Sequence, residues 1–247
     1  MTTLSQAVSV RESRQVDLSG KSGSRALKNS IATAAMWTAF GIAVIPLVWI
    51  LWTVAAKGGD LLLNSTWWAN SQQGITARRE GGGATHAIQG TLLQAGVTAL
   101  ISVPIGVLTA VYLVEYGRGK LARLVSFMVD ILTGVPSIVA GLFIYSVFMT
   151  TFGMQRAAIF VCLALTLLMI PTIVRSTEEM LKLVPNELRE ASYALGVPKW
   201  KTIFSIVLPT AFSGIVTGIL LGLARIMGET APLLILGPYT KAIASDL

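Results

Sequence analysis

The chain has 247 residues, a formal net charge of +7, 53% hydrophobic residues and only 13% charged ones, and its mean hydropathy is +0.70. Soluble domains carry roughly 25% charge, so this composition excludes an ordinary soluble domain and points to a polytopic membrane protein. One Cys and one His exclude an intrachain disulfide and a multi-histidine metal site, and the basic balance does not indicate nucleic acid, because the cations fall where membrane topology places them.

Residues 1–30 are polar and hold Arg11, Arg14, Lys21, Arg25 and Lys28. Without an apolar core they are no cleavable signal peptide, and a disordered cytoplasmic tail is expected. Residues 31–247 are expected to form the transmembrane domain. Its spans are predicted near 31–56, 87–114, 124–148, 157–174 and 211–228, since about 20 apolar residues cross about 30 Å of hydrocarbon. Between the first two spans, Trp67-Trp68 suits the membrane interface and Gly81-Gly82-Gly83 breaks the chain before the second span. His86 is expected at the interface.

Orientation follows from Lys and Arg. With the N-terminus inside, segments 1–30, 115–126 and 175–203 hold 13 of the 19 cations, the outer segments hold five, and Arg225 lies in the fifth span. That imbalance places the N-terminus and the 175–203 loop in the cytoplasm and the C-terminus outside.

The loop of about 175–205 reads as two short helices with a bend. Pro185-Asn186 can start a helix on which Leu188, Ala191 and Leu195 share a face. Gly196 suits the left-handed stop of that helix, and Pro198 suits the start of the next one. A bent, partly apolar surface fits a soluble partner's groove or, alternatively, the bilayer surface.

Within this loop stand Glu190-Ala191-Ser192, then Gly196, then Ile206, Leu208 and Pro209. The spacing resembles the coupling-loop signature of bacterial ABC importer permeases, with six of seven defining positions matched and Ser192 in place of the second alanine. The resemblance implies an all-α, polytopic helical bundle of the MetI-like type. Such bundles have about six core helices, so the last is expected to be missing from this chain. It also implies that Glu190, Ala191, Ser192, Gly196, Ile206, Leu208 and Pro209 engage a separate ATPase. The chain has no G-x-x-x-x-G-K-[ST] loop, so ATP and Mg are expected on that partner, and this chain is expected to bind no cofactor and catalyse nothing itself.

Two further segments narrow the family. Residues 134–142, from Gly134-Val135-Pro136-Ser137 to Leu142, and Arg225 with Gly228-Glu229-Thr230-Ala231-Pro232 resemble signatures of phosphate importer permeases, closer to the second of their two permease subunits. The partners implied are a homologous second permease, two ATPase subunits, an extracytoplasmic phosphate-binding protein and the bilayer of a bacterial inner membrane. A permease for another oxyanion or small solute shares the coupling loop, and a secondary transporter or channel without an ATPase is the rival of a different class.

Ionisable groups within a membrane are costly unless paired or hydrated. Arg225 and Glu229 are four apart, so on one helix they can form a locking ion pair, or Arg225 can face the pathway with Glu229 setting its position. Asp130 reads either as a carboxylate at a helix N-terminus or as a pathway residue. Pro136-Ser137 is expected to bend the third span, as a packing kink or by freeing a carbonyl near the pathway. Gly90, Gly214, Gly218 and Gly222 are expected at helix contacts.

Overall fold

The computed structural model describes residues 22–75 and 81–238. Arg11, Arg14, Lys21, Arg78, Arg79 and Lys241 lie outside them, as does the expected tail up to residue 21. Ten α-helices are described: α1 (Ser22–Leu62), α2 (Ser65–Ala69), α3 (Thr85–Val111), α4 (Gly119–Thr133), α5 (Ser137–Ile144), α6 (Ala158–Leu183), α7 (Asn186–Ala194), α8 (Lys199–Thr202), α9 (Leu208–Met227) and α10 (Ala231–Leu236). π-helical turns extend α3 to Tyr116 and α5 to Thr151, and another joins α8 to α9 over Ile203–Val207.

The chain divides into two units, residues 1–64 and 65–247. The first is described by α1, which begins at Ser22, nine residues before the expected boundary at Ile31, so that Arg25 and Lys28 stand on the helix and not in a tail.

In the second unit α6 is the central helix. Its apolar run of Leu, Ile, Val and Ala is buried nearly all round, with Val161, Ala164, Ile173, Val174 and Leu181 fully enclosed, as expected of a helix that others surround. It runs 26 residues, about 39 Å at 1.5 Å per residue, and not the minimal span expected at 157–174. Val184 then turns extended ahead of Pro185, because a residue before proline is pushed out of the helical region.

Helices α3, α4, α5, α9 and α10 pack on α6. Lipid supplies no hydrophobic drive between helices, so close backbone approach and dispersion carry the packing. A Cβ on Gly218 would sit 2.3 Å from Ser176 Oγ, and one on Gly214 would sit 2.2 Å from Met180 Sδ. Both glycines therefore face α6, as the small-residue spacing predicts. Gly90 differs, since a Cβ there would meet nothing within 4 Å.

The third span is not one rod. The chain bends by 106° between Gly119–Thr133 and Ser137–Thr151. The break is at Gly134-Val135-Pro136, where the helix stops at a glycine and restarts behind a proline in extended geometry. Four helices are long and apolar enough to cross a membrane, or five with the bent pair counted as one span. Ahead of α3, the backbone of Ala84 and Thr85 donates to the carbonyls of Trp67 and Asn70, at 3.0 and 3.3 Å, so the segment before the second span folds back on its start.

Candidate functional site

Residues 184–209 leave the bundle as a helical hairpin. Pro185 precedes α7, which ends in a turn built by backbone bonds. Gly196 N–H donates to the Tyr193 carbonyl at 2.9 Å and Val197 N–H to the Ser192 carbonyl at 3.2 Å. Gly196 has φ +75°, a left-handed value that glycine adopts without the Cβ penalty. The stop expected at Gly196 is therefore present, and the restart behind Pro198 follows it as α8.

Exposure divides the hairpin into two faces. Leu188, Glu190, Ala191, Tyr193, Leu195, Trp200 and Phe204 are exposed, Leu195 at 84%. Ser192, Thr202, Ile203 and Val207 are buried. Ser192, where the resemblance has alanine, faces inward, and its hydroxyl is 2.8 Å from that of Thr202, tying α7 to α8. Of the remaining motif residues, Ile206 and Leu208 are half-buried and Pro209 is exposed. Ile206 lies in the π-helical turn, so the second arm of the hairpin runs on into the last long helix without a break.

The hairpin is fastened to the end of α3 by charge. Arg189 of α7 donates through Nε to Glu115 Oε1 at 3.1 Å, and its Nη2 lies 3.0 Å from the same oxygen. Its Nη1 donates to the Val184 carbonyl at 2.7 Å and to Asn186 Oδ1 at 3.3 Å, and Nη2 donates to the Leu181 carbonyl at 3.0 Å. The two carbonyls belong to the C-terminal end of α6, where helical donors run out and only Val184 N–H, at 3.4 Å, reaches the Leu181 carbonyl. Lys199 of α8 donates to the Glu115 backbone carbonyl and stands 4.7 Å over the Tyr116 ring.

A second charged cluster joins α4 to α6. Arg175 binds Asp130 and, at 2.5 Å, Glu178. It also donates to the carbonyl and hydroxyl of Ser126, both at 3.2 Å, and Lys182 lies 3.5 Å from Glu178. Two carboxylates neutralise the guanidinium, as a charge within a bundle requires. Asp130 stands in the last turn of α4, three residues from its end. It is therefore not the carboxylate at a helix N-terminus that the sequence allowed. Arg175 is thus a bundle residue and not merely one of the cations of the 175–203 loop. The signal that marks it is Arg175, Glu178 and Lys182 at helical spacing, directly after the apolar run that ends at Val174.

Arg225 and Glu229 are not brought together. Helix α9 ends at Met227 and Gly228 caps it, so Glu229 lies beyond the helix and the four-residue spacing no longer puts the two on one face. Among the described residues no ion pair joins them. Arg225 is exposed in the last turn of α9. Glu229, half-buried, lines a small cavity with Thr91 and Gln94 of α3 and with Leu165, Ile226 and Leu233. Ser137 opens α5 at the bend and is half-buried. The Leu132 carbonyl, which a proline at 136 deprives of its helical donor, accepts from Val135 at 3.3 Å, and the Pro136 carbonyl accepts from Val139 and Ala140 at 2.9 and 3.3 Å.

Comparisons with known proteins converge on one family. The family described as "Binding-protein-dependent transport system inner membrane component" matches residues 102–245. The chain is 56% identical to the phosphate transport system permease protein PstA 1 of Mycobacterium tuberculosis (strain CDC 1551 / Oshkosh), over 90% of this chain and 73% of that protein. It is 42% identical to the phosphate transport system permease protein PstA of Yersinia pestis, over 90% and 75%. Among solved structures, an inward-facing conformation of the MetNI methionine ABC transporter aligns with a TM-score of 0.50 at 26% identity, covering 59% of this chain and 68% of that one. The all-helical bundle, the match over more than half of the chain and the relatives at this identity agree: this chain belongs to the inner membrane component family of binding-protein-dependent transport systems.

Proposed function

We propose that this chain is the membrane permease subunit of an ATP-driven importer of inorganic phosphate. The observation that carries the substrate is the 56% identity, over 90% of the chain, to a phosphate transport system permease protein. The chain would form half of the translocation pathway in a bacterial inner membrane, with its N-terminus in the cytoplasm as the cation imbalance favours. A homologous second permease would supply the other half, two ATPase subunits would bind and hydrolyse ATP with Mg, and an extracytoplasmic phosphate-binding protein would deliver the anion.

In this reading the hairpin from Glu190 to Pro209 meets the ATPase. Glu190, Ala191, Gly196 and the exposed Leu188, Leu195 and Trp200 give it a bent helical surface with an apolar centre, the form that fits a groove. Ser192, Ile206, Leu208 and Pro209 hold that surface on the last long helix. Arg225 supports the pathway role better than the locking role, because it makes no ion pair among the described residues. A planar, permanently charged guanidinium suits a phosphate oxyanion. Glu229 and Ser137 would line the same route, whereas Asp130 serves Arg175.

The test is ATP-dependent uptake of radiolabelled phosphate by proteoliposomes holding the complete complex, with sulfate as competitor. Uptake that resists excess sulfate is expected. An assembled, ATP-hydrolysing complex that moves no phosphate would overturn the substrate and leave the family membership untouched.

A further inference from the structure

Glu115 is the residue at which both arms of the hairpin meet the bundle. Its carboxylate holds Arg189 of α7, and its backbone carbonyl, at the C-terminal end of α3, accepts from Lys199 of α8. The Glu115 and Arg189 side chains are only 6% and 12% exposed. A guanidinium carries five N–H donors in a fixed fork. Here four donations are made, from Nε to Glu115 Oε1, from Nη1 to the Val184 carbonyl and Asn186 Oδ1, and from Nη2 to the Leu181 carbonyl, and Nη2 also lies 3.0 Å from Glu115 Oε1. Each nitrogen of Arg189 is therefore committed to a contact within the chain, and the residue acts as an internal strut.

Stability alone does not account for such a cluster. Desolvating a buried ion pair offsets most of its attraction, and apolar residues of similar volume do as well. Helix α7 also has its own start at Pro185 and its own stop at Gly196. What the pair adds is fixed, directional geometry among the end of α3, the end of α6 and the hairpin, which otherwise share the covalent link from α6 to the hairpin and an apolar cluster that includes Val111, Leu181, Val184, Ile203 and Val207.

We infer that the Glu115–Arg189–Lys199 cluster is the mechanical link by which movement of the hairpin is imposed on α3. This rests on the coupling role proposed above for the hairpin. Covalent continuity joins the hairpin to α6 and α9, Ile203 and Val207 share an apolar cluster with Ala110 and Val111 of α3, and the charged cluster adds a directional attachment that makes α3 a third lever. Helix α3, with its π-helical extension, reaches from Glu115 to Gln94 and Thr91, which line the cavity beside Glu229, about 32 to 36 Å along the axis at 1.5 Å per residue. Movement at the ATPase would thus arrive at the opposite end of the bundle through a single rod.

The experiment uses the complete complex in proteoliposomes and reads phosphate uptake, ATP hydrolysis and copurification of the ATPase subunits on the same samples. Glu115→Gln keeps an acceptor without charge, and Arg189→Lys keeps the charge without the fork. Both are expected to retain the ATPase subunits and ATP hydrolysis while phosphate moved per ATP falls about tenfold. The double variant is expected to be no worse than either single one, because residues that act as one unit are not additive. Ala191→Trp, on the exposed face, checks the coupling role itself and is expected to lose the ATPase subunits. If Ala191→Trp retains them with parental coupling, the coupling role of the hairpin fails. If Ala191→Trp behaves as expected but Glu115→Gln and Arg189→Lys keep the parental phosphate per ATP, the link through Glu115 alone fails. Failure of Glu115→Gln and Arg189→Lys to assemble also overturns the link, because the cluster would then serve folding only.

Discussion

Arg189 and Arg225 are the same residue type in opposite circumstances. Arg189 is enclosed and each of its nitrogens donates within the chain, whereas Arg225 is exposed at the last turn of α9 and makes no ion pair among the described residues. Arg175 stands between them, partly buried and neutralised by two carboxylates. A satisfied guanidinium fixes geometry; an unsatisfied one in a membrane helix keeps its charge for something that arrives. Permease chemistry needs both, since an anion has to be met by a charge that is not already spoken for, on a frame that does not deform.

Replacing each arginine tests that division. The largest effect on transport is expected from Arg225→Gln: phosphate uptake by the reconstituted complex falls to background, while assembly and thermal stability stay within the narrow range of surface substitutions, about 0.5 kcal/mol. Normal uptake by that variant would remove Arg225 from the pathway. Arg175→Gln is expected to act on stability, because it leaves the buried Glu178 carboxylate with only the more distant Lys182. A loss of about 2 kcal/mol, read as a lower unfolding temperature in detergent, follows from stranding a buried charge; an unchanged temperature would show that the cluster is not structural. The smallest effect is expected for Ser192→Ala, which leaves the Thr202 hydroxyl with a 3.4 Å contact to the Pro198 carbonyl. About 1 kcal/mol is expected, with coupling between hydrolysis and uptake retained. A loss of coupling would move Ser192 from the frame to the working surface.

The hairpin was legible in the sequence because its signals are local. Pro185, Gly196 and Pro198 each impose one backbone geometry whatever surrounds them, and the structure has a start, a left-handed stop and a restart at those three places. The glycines of α9 were legible for the same reason, since small residues one turn apart on an apolar helix have few other uses. The bend of the third span was only half legible. Pro136 announces an interruption, but hydropathy records how apolar a run is and not its direction, so two arms at 106° and one straight rod look alike. Of the two roles open to Arg225 and Glu229, the ion pair on one helix is the one the structure lacks, and its obstacle lies between them, as Gly228 is a helix stop. Arg175–Asp130 and Arg189–Glu115 join residues 45 and 74 positions apart, and no periodicity within one sequence can reveal such contacts.

The Glu115 contact also settles a matter of parity. Helix α3 ends at the same end of the bundle as the hairpin, because Glu115 touches α7 and α8. Helix α6 enters the hairpin after running about 39 Å from Ala158, so Ala158 lies at the far end. Between Tyr116 and Ala158 the chain has only the bent pair with which to make that journey. Neither 15-residue arm, about 22 Å long, is by itself the length of a ~30 Å hydrocarbon core, yet together they must carry the chain across. The second unit is therefore an out-and-back path of four traverses among the described residues, and its hairpin and the α3–α4 turn open on one and the same compartment.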